Sequence, residues 1–78
     1  MEEGRMYIGK WQKGLEFNHL IQYRSSLSGM YLYIEELIDG PWVVGLMDKY
    51  SGFRKTLKYG MTKAKALIYA KNWMEHNN

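Results

Sequence analysis

Three short β-rich runs in the middle of the chain constrain its fold more than any other feature. After Gly29 the sequence reads MYLYIEEL, PWVVGLMD and FRKTLKY, with the turn formers IDG and KYSG between these runs. Short runs joined by tight turns predict consecutive antiparallel strands. The chain is therefore expected to build its core on an antiparallel sheet.

The lengths of the two turns determine which side chains share a face of this sheet. If Asp39-Gly40 and Ser51-Gly52 are two-residue turns, Leu37 lies opposite Trp42 and Leu46 opposite Leu57. A one-residue slip in either hairpin would exchange the faces. The expected core face carries Tyr31, Tyr33, Leu37, Trp42, Val44, Leu46, Leu57 and Tyr59. The opposite face, half apolar and half basic, carries Met30, Leu32, Ile34, Val43, Met47, Lys49, Arg54, Thr56 and Lys58.

The C-terminal segment MTKAKALIYAKNWMEHNN predicts one helix. Thr62 is a typical N-cap residue, and neither Gly nor Pro interrupts the segment after it. Apolar residues recur at helical spacing and predict a face that packs on the sheet. This face consists of Ala66, Leu67, Ala70, Trp73 and Met74.

The N-terminal part of the chain has a weaker pattern. Residues Met6 to Trp11 are interpreted as an edge strand. Segment 15–24 fits a helix by the spacing of Phe17, Leu20 and Ile21, and fits a strand by its alternation; we favour a strand leading into a hairpin. The sequence thus predicts a single α+β domain over residues 1–78, an antiparallel meander of four to five strands with one C-terminal helix packed on one face.

Several residue types that carry chemistry are absent or badly spaced. The chain has no Cys, which removes disulfides, thiolate metal sites and Cys nucleophiles. His19 and His76 lack metal-ligand spacing, and Glu35 and Glu36, as neighbours on a strand, point to opposite faces and cannot form an acid–base pair. We therefore expect no catalytic residue, no metal, no cofactor and no small-molecule substrate.

Neither a leader nor a membrane span is indicated. The N-terminus reads MEEGRMYIG, with acidic residues where a signal peptide has basic ones. No run approaches the ~18 apolar residues of a membrane span. The sequence favours a cytoplasmic protein without membrane contact.

Charge is distributed unevenly along the chain. Residues 1–48 carry −3 and residues 49–78 carry +6, giving the net charge of +3. A strongly basic segment indicates a phosphate-bearing or acidic partner, although a solvated basic face that keeps the protein soluble is an equal alternative. The candidate nucleic-acid-binding residues are Lys49, Arg54, Thr56, Lys58, Lys63 and Lys65.

Two of these lysines lie where a helix disfavours cations. Lys63 and Lys65 occupy the first predicted helical turn, next to the positive end of the macrodipole. A bound phosphate would offset this arrangement. Arg54, Thr56 and Lys58 are expected to project from one face of the last strand and to continue the basic track.

Residues 30–74 have the order strand–strand–strand–helix. The second hairpin and the helix start read WVVGLMDKYSGFRKTLKYGMTKAKA. This arrangement resembles the arm-type DNA-binding domains of phage integrases. The resemblance implies a three-stranded sheet that lies in the DNA major groove and is braced by the C-terminal helix. It would place Arg54, Thr56 and Lys58 on the reading surface and Lys63 near phosphate.

A second resemblance is to double-stranded-RNA-binding domains. Gly40-Pro41 follows a strand, and GMTKAKA is similar to the glycine, Ser/Thr and lysines that open the last helix of that family. Ala64 stands where the family usually has a second lysine, and the His that normally follows its Gly-Pro is missing. The resemblance implies RNA as the partner and a first helix within segment 15–24.

Two functions follow as hypotheses. The leading one is non-catalytic binding of nucleic acid, DNA rather than RNA, through the last strand and the helix N-terminus. The alternative is a small protein-interaction module, such as a phage-encoded inhibitor of a host protein, that uses its sheet face or an edge strand. That module would bind an acidic protein or contact its partner through Leu32, Val43 or Met47.

Overall fold

A six-stranded antiparallel sheet and one helix make up the described part of the chain, residues 7–38 and 40–77 of a computed structural model. Each strand pairs with the next one along the chain, so the predicted meander and the α+β class are confirmed, with six strands rather than four or five. Within these residues no helix is both long and apolar enough to cross a membrane. The elements are β1 Tyr7–Ile8, β2 Trp11–Phe17, β3 Leu20–Ser25, β4 Met30–Glu36, β5 Trp42–Asp48, β6 Arg54–Met61 and α1 Lys63–His76.

The additional strand comes from the ambiguous N-terminal segment. Phe17 ends β2 and pairs with Leu20 of β3 across the two-residue turn Asn18-His19. Segment 15–24 therefore consists of two strand segments joined by a tight turn. The helical alternative is wrong, and the strand favoured from the sequence is interrupted at residues 18–19. The predicted edge strand is shorter than expected, because Trp11 already belongs to β2; Met6 lies outside the described residues.

The β4–β5 hairpin differs from the sequence prediction by one residue. The amide of Leu37 donates to the carbonyl of Pro41, and the amide of Gly40 donates back to the carbonyl of Leu37. Three residues, 38–40, thus separate the closing pair instead of two. Gly40 has a φ of 104°, in the left-handed region that glycine adopts without steric cost.

This one-residue difference exchanges the faces of β4. Leu32 pairs with Leu46 and Ile34 pairs with Val44, and both β4 side chains are fully buried. Tyr33, expected in the core, lies opposite Gly45 on the other face. The predicted core face is therefore wrong for Tyr31, Tyr33 and Tyr59, whereas Trp42 and Val44 are buried as predicted, and Leu37 lies in the loop.

The core lies between α1 and one face of the sheet, which we call the covered face; the other is the open face. Helix residues Ala66, Leu67, Ala70 and Met74 are buried, and Trp73 packs against them, so the predicted helix face is confirmed. Ala66 and Ala70 have no exposed surface. Small side chains at these positions let the helix approach the sheet closely. The sheet contributes Ile8, Trp11, Ile21, Tyr23, Leu32, Ile34, Trp42 and Val44.

The helix begins at the predicted cap, and this contact can be tested. Thr62 Oγ1 accepts a hydrogen bond from the Lys65 amide at 3.3 Å. Thr62→Ala should therefore lower the free energy of unfolding by about 1 kcal/mol, measured by urea denaturation. Thr62→Ser keeps the oxygen and should stay close to wild type. A serine variant as unstable as the alanine variant would contradict this role of the cap.

Candidate nucleic-acid interface

Strand β6 forms one edge of the sheet. Its only strand neighbour among the described residues is β5. An edge strand presents backbone N–H and C=O groups that no other strand satisfies. With eight residues, Arg54–Met61, β6 is roughly 26 Å long at about 3.3 Å per residue.

A β-bulge at Leu57 separates the predicted contact residues of β6. Thr56 pairs with Gly45, whereas Lys58 pairs with Val44, so one extra residue lies between them. Since directly paired residues share a face, Thr56 projects on the open face and Lys58 on the covered face. The prediction that Arg54, Thr56 and Lys58 share one face is therefore wrong.

Packing on the helix accounts for this bulge. Leu57 is half-buried and packs against the core, and its carbonyl oxygen accepts a hydrogen bond from the Tyr69 hydroxyl at 3.5 Å. The extra residue of the bulge is thus in contact with the core and with α1. Lys58, next in the chain, remains exposed beside this contact.

Lys55 joins the predicted residues as a further exposed cation. It pairs with Leu46 and therefore projects on the covered face, the same side as Lys58. Sequence reasoning missed it because strand alternation was applied to Arg54, Thr56 and Lys58 alone. The signal was present, since Lys55 lies within the same basic run.

The start of α1 continues the basic surface beyond β6. The first turn holds Lys63 and Lys65 and no acidic residue, so the unfavourable charge pattern expected there is present. The structure shows a compensating contact for one of the two: Lys63 Nζ lies 5.6 Å from the Trp42 ring centroid. A cation–π contact at an exposed site contributes about 0.5–1 kcal/mol. Lys65 is exposed.

At the opposite end of β6, Lys49 and Arg54 contact aromatic rings. Lys49, in the β5–β6 turn, has its Nζ 5.7 Å from the Tyr50 ring centroid. The Arg54 guanidinium lies on the open face, with its carbon 4.9 Å from the Tyr33 ring centroid. Both contacts hold a cation at the end of the same edge strand.

Gly45 makes room for the Tyr33 ring on the open face. A Cβ added to Gly45 would clash with the Cζ and hydroxyl oxygen of Tyr33. The end of the ring therefore lies directly over the backbone of β5. Gly45 permits this close approach because it has no Cβ.

The aliphatic residues proposed for a protein partner are mostly inaccessible. Leu32 has 0% of its surface exposed and Val43 has 6%. Met47 is half-buried on the open face. Leu32 and Val43 are therefore not accessible to a partner. Exposed apolar side chains of the open face include Leu15 and Phe17 in the β2–β3 hairpin and Tyr59 on β6.

A second polar cluster lies at the end of β4, where Glu36 pairs with Trp42 of β5, two strands from β6. His19 Nδ1 is 2.6 Å from Glu36 Oε1, joining the β2–β3 turn to the end of β4. This contact could not be predicted from the sequence, because His19 and Glu36 are 17 residues apart. Within residues 7–38 and 40–77, no group of three or more His, Cys, Asp or Glu side chains is arranged to hold a metal ion.

Comparisons with protein-family models, with curated proteins and with solved structures found no match for this chain.

Proposed function

We propose that this protein is a non-catalytic nucleic-acid-binding domain that contacts phosphates through β6 and the start of α1. The distribution of charge carries the proposal: from residue 49 onward the chain holds six basic residues up to residue 65, and its next acidic residue is Glu75. We call these six residues the basic edge: Lys49, Arg54, Lys55, Lys58, Lys63 and Lys65. A continuous basic surface of this kind attracts a phosphate backbone.

The bulge gives the basic edge two sides. Arg54 projects on the open face, and Lys55 and Lys58 project on the covered face. A polyanion running along the outer edge of β6 would meet cations on both sides. Asp48, the acidic residue nearest to this surface in the chain, is engaged in its own turn, where its carboxylate accepts a hydrogen bond from the Tyr50 amide at 2.8 Å.

DNA rather than RNA is the partner that the resemblance to arm-type domains implies, but the structure does not keep the three-residue reading surface of that resemblance. The basic edge itself recognises phosphate, which both polymers carry.

The test is a titration of the whole chain, at low salt, against fluorescent DNA and RNA of mixed sequence and about 20 nucleotides, longer than the edge. We expect saturable binding that weakens as salt increases. If the protein binds neither DNA nor RNA, the proposed function is overturned.

The exposed edge of β6 supports a second candidate, an acidic protein partner. An extended acidic segment could pair with this edge as a further strand. A second copy of β6 is a poor partner, because pairing would bring Arg54, Lys55 and Lys58 of one copy close to the same set of cations in the other copy. Capture of a partner from lysate that survives nuclease treatment, together with no binding to purified nucleic acid, would support this candidate.

A further inference from the structure

Aromatic rings lie on the open face close to the basic edge. Tyr31 and Tyr33 of β4 pair with Met47 and Gly45, and Tyr59 of β6 pairs with Val43. Tyr59 is 61% exposed. Rings of this size normally supply much of a small core. Here they lie on the face that α1 leaves open, and the exposed ring of Tyr59 is available to a ligand.

Arg54 adds a planar group to this face. Its guanidinium is held over the Tyr33 ring, while the residue as a whole is exposed. A guanidinium that rests on a ring with one side can accept a nucleic-acid base on the other. Arg54 and Tyr59 are five positions apart on β6, roughly 15 Å. They can therefore contact different bases of one strand.

We propose that the nucleic acid recognised by this protein is single-stranded, with its phosphates along the basic edge and its bases stacked on Tyr59 and on the Arg54 guanidinium. This inference rests on the proposed function. Only an unpaired strand exposes the faces of its bases to side chains. Reading of a duplex major groove would need Arg54, Thr56 and Lys58 on one face, and the bulge at Leu57 separates them.

An abasic oligonucleotide tests the stacking contribution, because it keeps the phosphates and lacks the bases. We expect oligothymidylate to bind at least about tenfold more tightly than an abasic strand of equal length, and more tightly than duplex DNA. Equal affinity for the abasic strand, or tighter binding of the duplex, would overturn the inference and leave the proposed function intact. Absence of binding to all three would overturn this inference, and it would overturn the proposed function itself if RNA of mixed sequence also failed to bind.

Variants locate the stacking residues. Tyr59→Ala should weaken oligothymidylate binding about tenfold and leave abasic binding unchanged, whereas Tyr59→Phe should behave like wild type. Arg54→Lys keeps the charge but loses the planar group, and should also affect the base-containing strand alone. The Arg54 variant keeps the inference testable if Tyr59→Ala does not fold, which circular dichroism would show.

Phe17 offers a matched control. Phe17 is 61% exposed, as is Tyr59. The two residues lie at opposite ends of one row of paired residues across the open face, which runs through Leu20, Glu35 and Val43. Phe17 lies four strands from β6, roughly 19 Å away. Phe17→Ala should leave oligothymidylate binding unchanged. An equal loss in the Phe17 and Tyr59 variants, or an equal loss on the abasic strand, would overturn the proposed location.

Discussion

Leu32→Ala is expected to lower the free energy of unfolding by about 2–5 kcal/mol. Leu32 has no exposed surface and pairs with Leu46 beneath the helix, so the substitution leaves a cavity in the core. Small domains have a total stability of only about 5–15 kcal/mol, so the expected loss is a large part of it. Urea denaturation monitored by circular dichroism measures the loss.

Leu27→Ala is the matched control for this prediction. Leu27 lies in the turn after β3 and is 69% exposed, so the same chemical change should cost less than about 0.5 kcal/mol. The comparison tests the β4 register directly, because the two-residue turn predicted from the sequence puts Leu32 on the opposite face. A loss below about 1 kcal/mol for Leu32→Ala would contradict the observed register.

The double variant Arg54→Gln with Lys58→Gln is expected to change the salt dependence of nucleic-acid binding. The log of the binding constant falls by about 0.7 per log unit of salt for each phosphate neutralised on a single strand, and by about 0.9 on a duplex. Lys58 contacts phosphate, and Arg54 keeps its positive charge beside the phosphates while its guanidinium faces a base. Loss of both charges should therefore flatten the slope by up to about 1.4 on oligothymidylate. Titrations at several salt concentrations measure this slope.

Arg24→Gln with Lys71→Gln supplies the control for net charge. This variant also loses two positive charges, but they come from β3 and from the middle of α1. Exposed charge changes usually alter stability by less than ~0.5 kcal/mol, so Arg54→Gln with Lys58→Gln should remain folded. An equal flattening of the slope in both double variants would show that overall charge, and not the basic edge, determines binding.

The helix and its contacts could be predicted well from local patterns. Thr62 caps α1, and Ala66, Leu67, Ala70 and Met74 are buried as their spacing indicated. Both features depend on residues within a few positions of one another. Helical periodicity then specifies the buried stripe without knowledge of the partner surface.

The hairpin register could not be obtained in the same way. Whether the residues around Gly40 form a two-residue or a three-residue loop depends on backbone geometry that the letters IDG do not specify. A difference of one residue reverses every side chain of the strand. Sequence alternation therefore indicated that β4 has two faces, but not which one the helix would cover.

The candidate site divides along the same line. The basic residues and their concentration after residue 48 are evident in the sequence. Their division between two faces is not, because it depends on the bulge at Leu57. That bulge is stabilised by packing of Leu57 under the helix and by the Tyr69 hydroxyl, a contact between residues 12 positions apart.

The helix, the charge imbalance and the succession of β4, β5 and β6 follow from the sequence alone, since each is a property of neighbouring residues. Which face of the sheet forms the core depends on tertiary packing. Strand β4 carries Met30, Leu32 and Ile34 on one side and Tyr31 and Tyr33 on the other, so both sides are apolar enough to be buried. The closing geometry of the hairpin and the fit of α1 to the aliphatic side placed the tyrosines on the open face beside the basic edge.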